Sequence, residues 1–202
     1  MIRLSVPYRK QQFENSCLPA CIRMVLRYYG DDINERKLFH QGRIKPWKGT
    51  WDVTTAQSVL KKGYAVTVGW TGDLTSWNIP LNISKRYWKE YKKAIRKGMR
   101  HEKDSTISKI KKYLNKKVPV MAEVHAGRLY KKKYDWTHMI VITGYDEHKK
   151  IFYYHDPDKK MGGKKRTIAF ITFKKIWEQL YPGVGRSIMI VEKRGSRISK
   201  DL

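Results

Sequence analysis

The sequence has few cysteines, few acidic residues and no long hydrophobic run. Its two cysteines, Cys17 and Cys21, lie four residues apart on a predicted helical turn, where a disulfide is geometrically awkward. This excludes a disulfide-stabilised scaffold and favours a reducing compartment. No segment reaches the length of a membrane-spanning helix, and the first residues contain no apolar run of signal-peptide length. These absences predict a soluble, cytoplasmic protein, with leaderless export as the alternative.

Acidic residues are outnumbered, because 18 Asp and Glu stand against 44 Lys and Arg, which gives a formal net charge of +26. Such an excess destabilises the compact state and favours anionic partners, such as nucleic acid, anionic lipid, an acidic polypeptide or an acidic wall polymer. A lysine-rich proteome is the alternative explanation. Hydrophobic residues make up 41% of the chain, which suffices for a packed core and argues against global disorder. The 202 residues fit one domain, with room for an insertion.

A polar loop followed by an amphipathic helix is the most informative stretch of the chain. Asn15 or Ser16 is expected to cap this helix, which ends at Gly30, where a left-handed residue is expected. Cys17 falls in the first turn, where unpaired N–H groups and the helix dipole favour the reactive thiolate. Gln11, six residues upstream, offers a side-chain amide donor. A nucleophile with such a donor is half of an acyl-transfer site.

Hydrophobic periodicity and turn residues predict the remaining elements. Helices are expected after Asp32 or Asn34 and at residues 54–63, 84–98, 106–114 and 173–180. Strands are expected at residues 64–68, 119–124, 138–146, 151–157, 167–170 and 187–192. Because the helices come mostly first and the strands mostly last, the chain is predicted to be an α+β protein, with its helices packed on an antiparallel sheet.

The stretch of residues 71–105 differs from the rest in being rich in both aromatic and basic side chains. Its aromatic residues include Trp77, Tyr87, Trp88 and Tyr91. Its basic residues include Lys85, Arg86, Lys89, Lys92, Lys93, Arg96, Lys97 and Arg100. Two interpretations stand: a surface helix whose aromatic side chains pack on the core, or an insertion that binds an anion or a substrate.

A candidate base and a candidate orienting acid lie on the two strands of a predicted hairpin. His138 opens one strand and Asp156 lies near the end of the other, so pairing is expected to bring both to one sheet edge. Asp156 would then hold His138 in the tautomer that a general base needs. Taken singly, a strand histidine, an acid before Pro157 and a helical cysteine are more often structural. Together they predict a thiol acyl-transfer site.

These motifs resemble one known family. Gln11 with residues 17–30, then residues 138–146 and 155–157, looks like the bacteriocin-processing, double-glycine leader peptidases, which are papain-like cysteine peptidases. The resemblance runs from about residue 6 to residue 191, with residues 71–105 the least matched. It implies one papain-like domain over residues 1–192, with 71–105 as a basic aromatic insertion and 193–202 as a polar tail.

The resemblance also implies a role for each candidate residue. Cys17 would be the nucleophile and His138 the general base. Asp156 would orient the histidine, and Gln11 would donate to the oxyanion. The expected substrate is a peptide or protein, with an acidic one favoured by the charge, and neither a cofactor nor a metal is implied. The predicted activity is hydrolysis of a peptide or isopeptide bond.

Two departures from the family pattern bear on the substrate. Leu18 follows the nucleophile where the family commonly has glycine, so its side chain is expected to crowd the approach to the thiol or to line the pocket. Trp136 and Thr137, just before the histidine, are expected to contact substrate as well. Many members are fused to a membrane transporter, whereas this sequence has no membrane span and no phosphate-binding loop. A stand-alone form is therefore expected, for which leader processing during export is not implied.

Two other functions would use the same chain differently. Cys17, Cys21, His138 and His155 would supply four zinc ligands, although Cys-x-x-x-Cys within a helix is not the usual close pair of a zinc site. Alternatively, a catalytically idle papain-like domain would bind nucleic acid or another polyanion through its basic surface, notably from Lys85 to Arg100. The cysteine peptidase remains the leading prediction.

Overall fold

The structure is a computed structural model, and it describes residues 1–43, 45, 48–72, 81–178 and 184–194. The helices of these residues are α1 (Cys17–Tyr28), α2 (Glu35–Gly42), α3 (Asp52–Lys61), α4 (Leu81–Arg96), α5 (Ile107–Asn115), α6 (Ala126–Tyr130) and α7 (Phe170–Trp177). The strands are β1 (Ile2–Arg3), β2 (Tyr64–Gly72), β3 (Arg100–Glu102), β4 (Val120–His125), β5 (Thr137–Asp146), β6 (Ile151–Asp156), β7 (Gly163–Ala169) and β8 (Val184–Lys193).

All eight of these strands form one sheet, in the order β3-β2-β8-β4-β5-β6-β7, with β1 paired to β5. The pairs are antiparallel, as predicted, except that β3 runs parallel to β2, with Thr67 opposite Arg100. Parallel strands cannot be joined by a tight turn and need a crossover connection, usually a helix. α4 lies in that crossover. The α+β prediction is confirmed, and the parallel pair was not anticipated.

The predicted helices and strands are confirmed with shifted ends. Gly30 has φ +83°, the left-handed conformation expected after α1. Asn34 rather than Asp32 caps α2, because its side chain accepts the N–H of Lys37. The prediction that residue 170 ends a strand is wrong, since α7 begins there, and its predicted end at residue 180 lies outside the described residues. β1, β3 and α6 were missed because two to five residues carry no periodic pattern.

Burial of α1 against the sheet holds the start of this helix in place. Its apolar side chains, among them Ile22, Val25 and Leu26, are fully buried and belong to one core with the inner strands. Each such side chain contributes roughly 1.5–3 kcal/mol relative to exposure. The Cys21 thiol donates a hydrogen bond to the carbonyl of Met139 on β5, with 3.3 Å between sulfur and oxygen. The first turn of α1 is thereby fixed against β5.

The aromatic residues of α4 pack on the core, as one of the two interpretations predicted. Tyr87 is 2% exposed, and Trp88 and Tyr91 are partly buried against the core. All the lysines and arginines from Lys85 to Arg100 are exposed. Trp77 lies outside the described residues. The helix therefore presents a cationic outer face, while its aromatic side chains serve mainly to attach it.

The division into a domain over residues 1–192, an insertion over 71–105 and a tail over 193–202 stays a prediction. Of the tail, residues 195–202 lie outside the described part of the chain. A search of the described helices finds none that is both long enough and apolar enough to cross a membrane.

Candidate active site

His138 and Asp156 meet at one edge of the sheet, where β5 begins and β6 ends. The antiparallel register pairs Val141 with His155, which brings the start of β5 beside the end of β6. His138 Nε2 lies 2.8 Å from Asp156 Oδ1. His138 is 5% exposed and Asp156 is fully buried. Because water is largely excluded there, this hydrogen bond is stronger than one at the surface.

Cys17, in the first turn of α1, lies close enough to His138 to influence the pKa of its imidazole. Burial opposes protonation of His138, but hydrogen bonds to Asp156 and Cys17, and the charges of both, raise its pKa to about 10. The imidazole of His138 is therefore expected to be protonated at neutral pH.

The carboxylate of Asp156 accepts hydrogen bonds from three directions. Besides His138, Tyr130 donates its hydroxyl at 3.0 and 3.2 Å from the two carboxylate oxygens, and the N–H of Asp158 donates at 3.0 Å. Burial disfavours the charge, but the bond and the charge of His138, together with these donors, lower the pKa of Asp156. Tyr8 binds the same residue through the backbone, donating to the Asp156 carbonyl at 3.1 Å.

Gln11 lies in the loop that enters α1 and is tied to the end of β6. Its backbone N–H donates to the carbonyl of Pro157 at 2.8 Å, one residue after Asp156. The side chain is 9% exposed, and its Oε1 has no hydrogen-bond partner among the described residues. Ser16 occupies the N-cap position of α1, but its side chain makes no capping hydrogen bond. The side-chain cap expected there is absent, and the hydroxyl of Ser16 instead contacts Phe13 and Glu35.

The three expected substrate contacts differ in exposure. Leu18 is 4% exposed and belongs to the hydrophobic core, so it offers little surface to crowd the thiol or to line a pocket. Trp136 is 51% exposed and stacks on Tyr134, with ring centroids 4.0 Å apart. The hydroxyl of Thr137 donates to Glu123 Oε1 at 2.5 Å. Of the three residues, Trp136 is therefore the one whose side chain is largely exposed.

The zinc-site alternative does not match the positions of its four residues. The Cys21 thiol is buried and donates to the Met139 carbonyl, and both ring nitrogens of His155 have hydrogen-bond partners. His155 Nε2 lies 2.9 Å from the Val6 carbonyl, and Nδ1 accepts the N–H of Lys165 at 3.0 Å. Across the described residues, no group of three or more His, Cys, Asp or Glu side chains could hold a metal ion. Cys21 and His155 are structural here.

Sequence reasoning missed Tyr130, Tyr8 and Glu35. Tyr130 and Tyr8 contact Asp156 from 26 and 148 residues away along the chain. Glu35 contacts the loop before Cys17 from the start of α2. Each is a single residue in a short or irregular context, so no periodicity or spacing in the sequence signals it.

Comparison with known proteins identifies relatives of this arrangement. The model of the Peptidase_C39 like family matches residues 3–183. A search of curated proteins found no match. Among solved structures, a double glycine motif protease from an AMS/PCAT transporter, in complex with the leader peptide, is 16% identical, with a TM-score of 0.53 over 95% of this chain and 94% of that one.

Two further structures share the fold. The peptidase domain of Streptococcus ComA is 15% identical, with a TM-score of 0.54 over 94% of this chain and 99% of that one. Xylellain, a cysteine protease from Xylella fastidiosa, is 12% identical, with a TM-score of 0.57 over 95% of this chain and 85% of that one. At these identities the likeness shows a papain-like fold, while the family model covers most of the chain. The chain therefore belongs to the Peptidase_C39 like family and is a cysteine-type peptidase.

Proposed function

We propose that the chain hydrolyses a peptide or isopeptide bond through a triad of Cys17, His138 and Asp156, with Gln11 as oxyanion donor. The observation that carries the proposal is the 2.8 Å contact between His138 Nε2 and Asp156 Oδ1, on a histidine that also hydrogen-bonds the Cys17 thiol. A nucleophile, a base and a group that orients the base form the constellation that acyl transfer needs.

In the proposed acylation, the Cys17 sulfur attacks the carbonyl carbon of the scissile bond, and the carbonyl π electrons move to oxygen. The Gln11 side-chain amide and the Cys17 backbone N–H stabilise that oxyanion. The His138 imidazolium then gives its proton to the leaving nitrogen, and the C–N bond breaks to leave a thioester. In the second half, His138 takes a proton from water, and the resulting hydroxide displaces the sulfur.

We infer that the acyl side of the substrate passes beside Trp136. Its ring, two residues before His138 in the chain, is exposed and stacked on Tyr134, and it provides apolar surface for an extended peptide. Thr137 adjoins the same surface, and Leu18 supports the nucleophile from the core. One structural neighbour, a double glycine motif protease, was solved in complex with the leader peptide. Peptides carrying a glycine pair are therefore the first substrates to test.

A second proposal concerns an acidic partner. Seven cations of α4 and the residue after it are exposed, namely Lys85, Arg86, Lys89, Lys92, Lys93, Arg96 and Lys97, and Glu90 is the one acid among them. Arg100, by contrast, is paired with Glu192 at 2.8 Å. Because Tyr87 is buried and Trp88 and Tyr91 are partly buried, stacking on nucleic-acid bases is less favoured than contact with a flexible polyanion. We propose that this face attracts an acidic substrate, and that an idle nucleic-acid-binding domain is the weaker candidate.

The experiment is a peptide-hydrolysis assay with the wild type and Cys17→Ala. The panel contains glycine-pair peptides in acidic and neutral versions, with products identified by mass spectrometry. We expect cleavage by the wild type alone, with acidic peptides cleaved faster at low salt than at high salt. Tight binding of duplex DNA, unchanged in Cys17→Ala and without cleavage of any peptide, would instead support the idle domain.

A further inference from the structure

We propose that Glu35 is a positioning residue that holds the oxyanion loop, defined as residues 11–16, in its catalytic shape. The inference deepens the proposed function and rests on it. Glu35 begins α2 and is 1% exposed. Its Oε1 accepts the backbone N–H of Gln12 at 2.6 Å and the hydroxyl of Ser16 at 2.8 Å. Gln12 directly follows Gln11, and Ser16 directly precedes Cys17. Gln11 and Cys17 are the two proposed sources of oxyanion donors.

The position is costly for a carboxylate, which indicates a specific role. No ion pair is formed by Glu35 within the described residues, and its Oε2 is buried there without a hydrogen-bond partner. An unpaired buried carboxylate destabilises a fold unless other groups compensate it. The compensation comes from the N-terminus of α2, which Glu35 itself opens, and from the loop donors.

The oxyanion loop is held from two sides. On one side, Gln11 donates to the carbonyl of Pro157, and Lys159 Nζ donates to the carbonyl of Gln12 at 2.6 Å. On the other, α2 supplies Glu35, and Phe39 of the same helix stacks on Phe13, with centroids 6.1 Å apart. The first side fixes the loop relative to the end of β6, and the second fixes it relative to α2. Glu35 provides the polar part of the second support.

The contacts predict a selective defect when Glu35 is changed. Its hydrogen bonds reach the loop backbone and Ser16. His138 is instead held by Asp156, and α1 is tied to β5 through Cys21 and Met139. Loosening the loop should therefore weaken oxyanion stabilisation while leaving the nucleophile reactive. Removing one oxyanion donor outright costs about 10²–10³ in kcat, so a displaced donor is expected to cost about tenfold.

The test compares two thiol probes on Glu35→Leu, which removes the acceptor of both bonds, and on a matched control, Glu14→Leu, at an exposed carboxylate of the same loop. Iodoacetamide alkylates the Cys17 sulfur by displacement and forms no oxyanion. The aldehyde of a peptide ending in glycine accepts the sulfur at its carbonyl carbon, and the carbonyl π electrons become an oxyanion before it takes a proton. The ratio of aldehyde affinity to alkylation rate therefore reports oxyanion stabilisation separately from the reactivity of the nucleophile.

We expect Glu35→Leu to weaken aldehyde inhibition about tenfold and to leave the alkylation rate within about twofold, with Glu14→Leu changing neither. In a Gln11→Ala background the loss caused by Glu35→Leu should shrink, because both act on one donor. Ser16→Ala, which does not remove a helix cap, should give a smaller loss in the same direction and serves if Glu35→Leu fails to fold.

Equal aldehyde affinity in wild type and Glu35→Leu would overturn the inference, as would a parallel loss of alkylation, which would place the effect on the nucleophile or on the fold. Failure of the wild type itself to bind the aldehyde would instead count against the proposed peptidase site. The same experiment therefore distinguishes failure of the Glu35 inference from failure of the proposed peptidase function.

Discussion

Two cysteine–histidine pairs differ in the partners of their side chains. The proposed reactive pair, Cys17 and His138, lies beside Asp156. The second pair is Cys21, one helical turn further along α1, and His155, the residue before Asp156. Cys17 is partly exposed and Cys21 is fully buried, whereas each histidine is 5% exposed. Burial alone therefore does not distinguish the two histidines.

The hydrogen-bond partners explain the difference. His138 has the Asp156 carboxylate on Nε2, and that carboxylate and Cys17 together raise its pKa to about 10. His155 has a backbone carbonyl on one nitrogen and a backbone N–H on the other, and burial lowers its pKa. Burial likewise raises the pKa of the Cys21 thiol well above its usual range. Residue type thus gives the capacity for catalysis, and partners decide whether it is used.

Replacing each cysteine in turn with alanine should give the largest difference in activity between the two pairs. Cys17→Ala is expected to abolish both iodoacetamide labelling and peptide cleavage, because it removes the nucleophile. Cys21→Ala should retain both and lose about 1 kcal/mol of unfolding free energy, since a buried thiol and its bond to Met139 are lost. Intact mass spectrometry and urea denaturation measure the two effects. Labelling of Cys21 in the Cys17→Ala protein would contradict the assignment.

The two histidines should differ almost as much. His138→Ala is expected to lower kcat by about 10³-fold, because proton transfer is lost. His155→Gln should leave kcat nearly unchanged and lower stability by about 1–2 kcal/mol, since its bonds to Val6 and Lys165 are disturbed. Initial rates and denaturant midpoints decide between them. A kcat loss in His155→Gln as large as that in His138→Ala would remove the distinction.

The sequence predicts the proposed reactive pair but not its supports. Cys17, His138 and Asp156 stand out in the sequence because each lies near the end of a strongly patterned element. Tyr130 and Glu35 were not, because α6 is five residues long and Glu35 contacts a loop that has no period. The burial of Leu18 was also beyond the sequence, since the direction of one side chain depends on how α1 meets the sheet.

The pH dependence of stability should have opposite signs for the two histidines. The pKa of His138 is raised from 6.5 to about 10, so its contribution is full below pH 6.5 and is lost as pH rises through about 10. The pKa of His155 is lowered, so its contribution is full above pH 6.5 and is lost as pH falls through the folded value. Urea midpoints between pH 5 and 10 measure both.

The matched variants locate each contribution. His138→Gln should flatten the alkaline side of the stability profile, and His155→Gln should flatten the acid side. Peptide turnover should also fall above about pH 10, where the imidazolium that protonates the leaving nitrogen is lost, while Cys17 labelling continues. An alkaline slope that persists in His138→Gln would show that another group titrates there.

The smallest effect is expected at the support of the reactive pair. Tyr130→Phe keeps the ring but removes the hydroxyl that lies 3.0 and 3.2 Å from the Asp156 oxygens, so the carboxylate loses one of its donors. Because that donor helps to lower the pKa of Asp156, the acid limb of kcat should move to higher pH, while kcat near neutral pH stays within about threefold of the wild type. Tyr8→Phe is the matched control, since its hydroxyl binds the backbone carbonyl of Asp156 rather than the carboxylate. Identical pH profiles for the two variants would mean that Tyr130 supports Asp156 through packing and not through its charge.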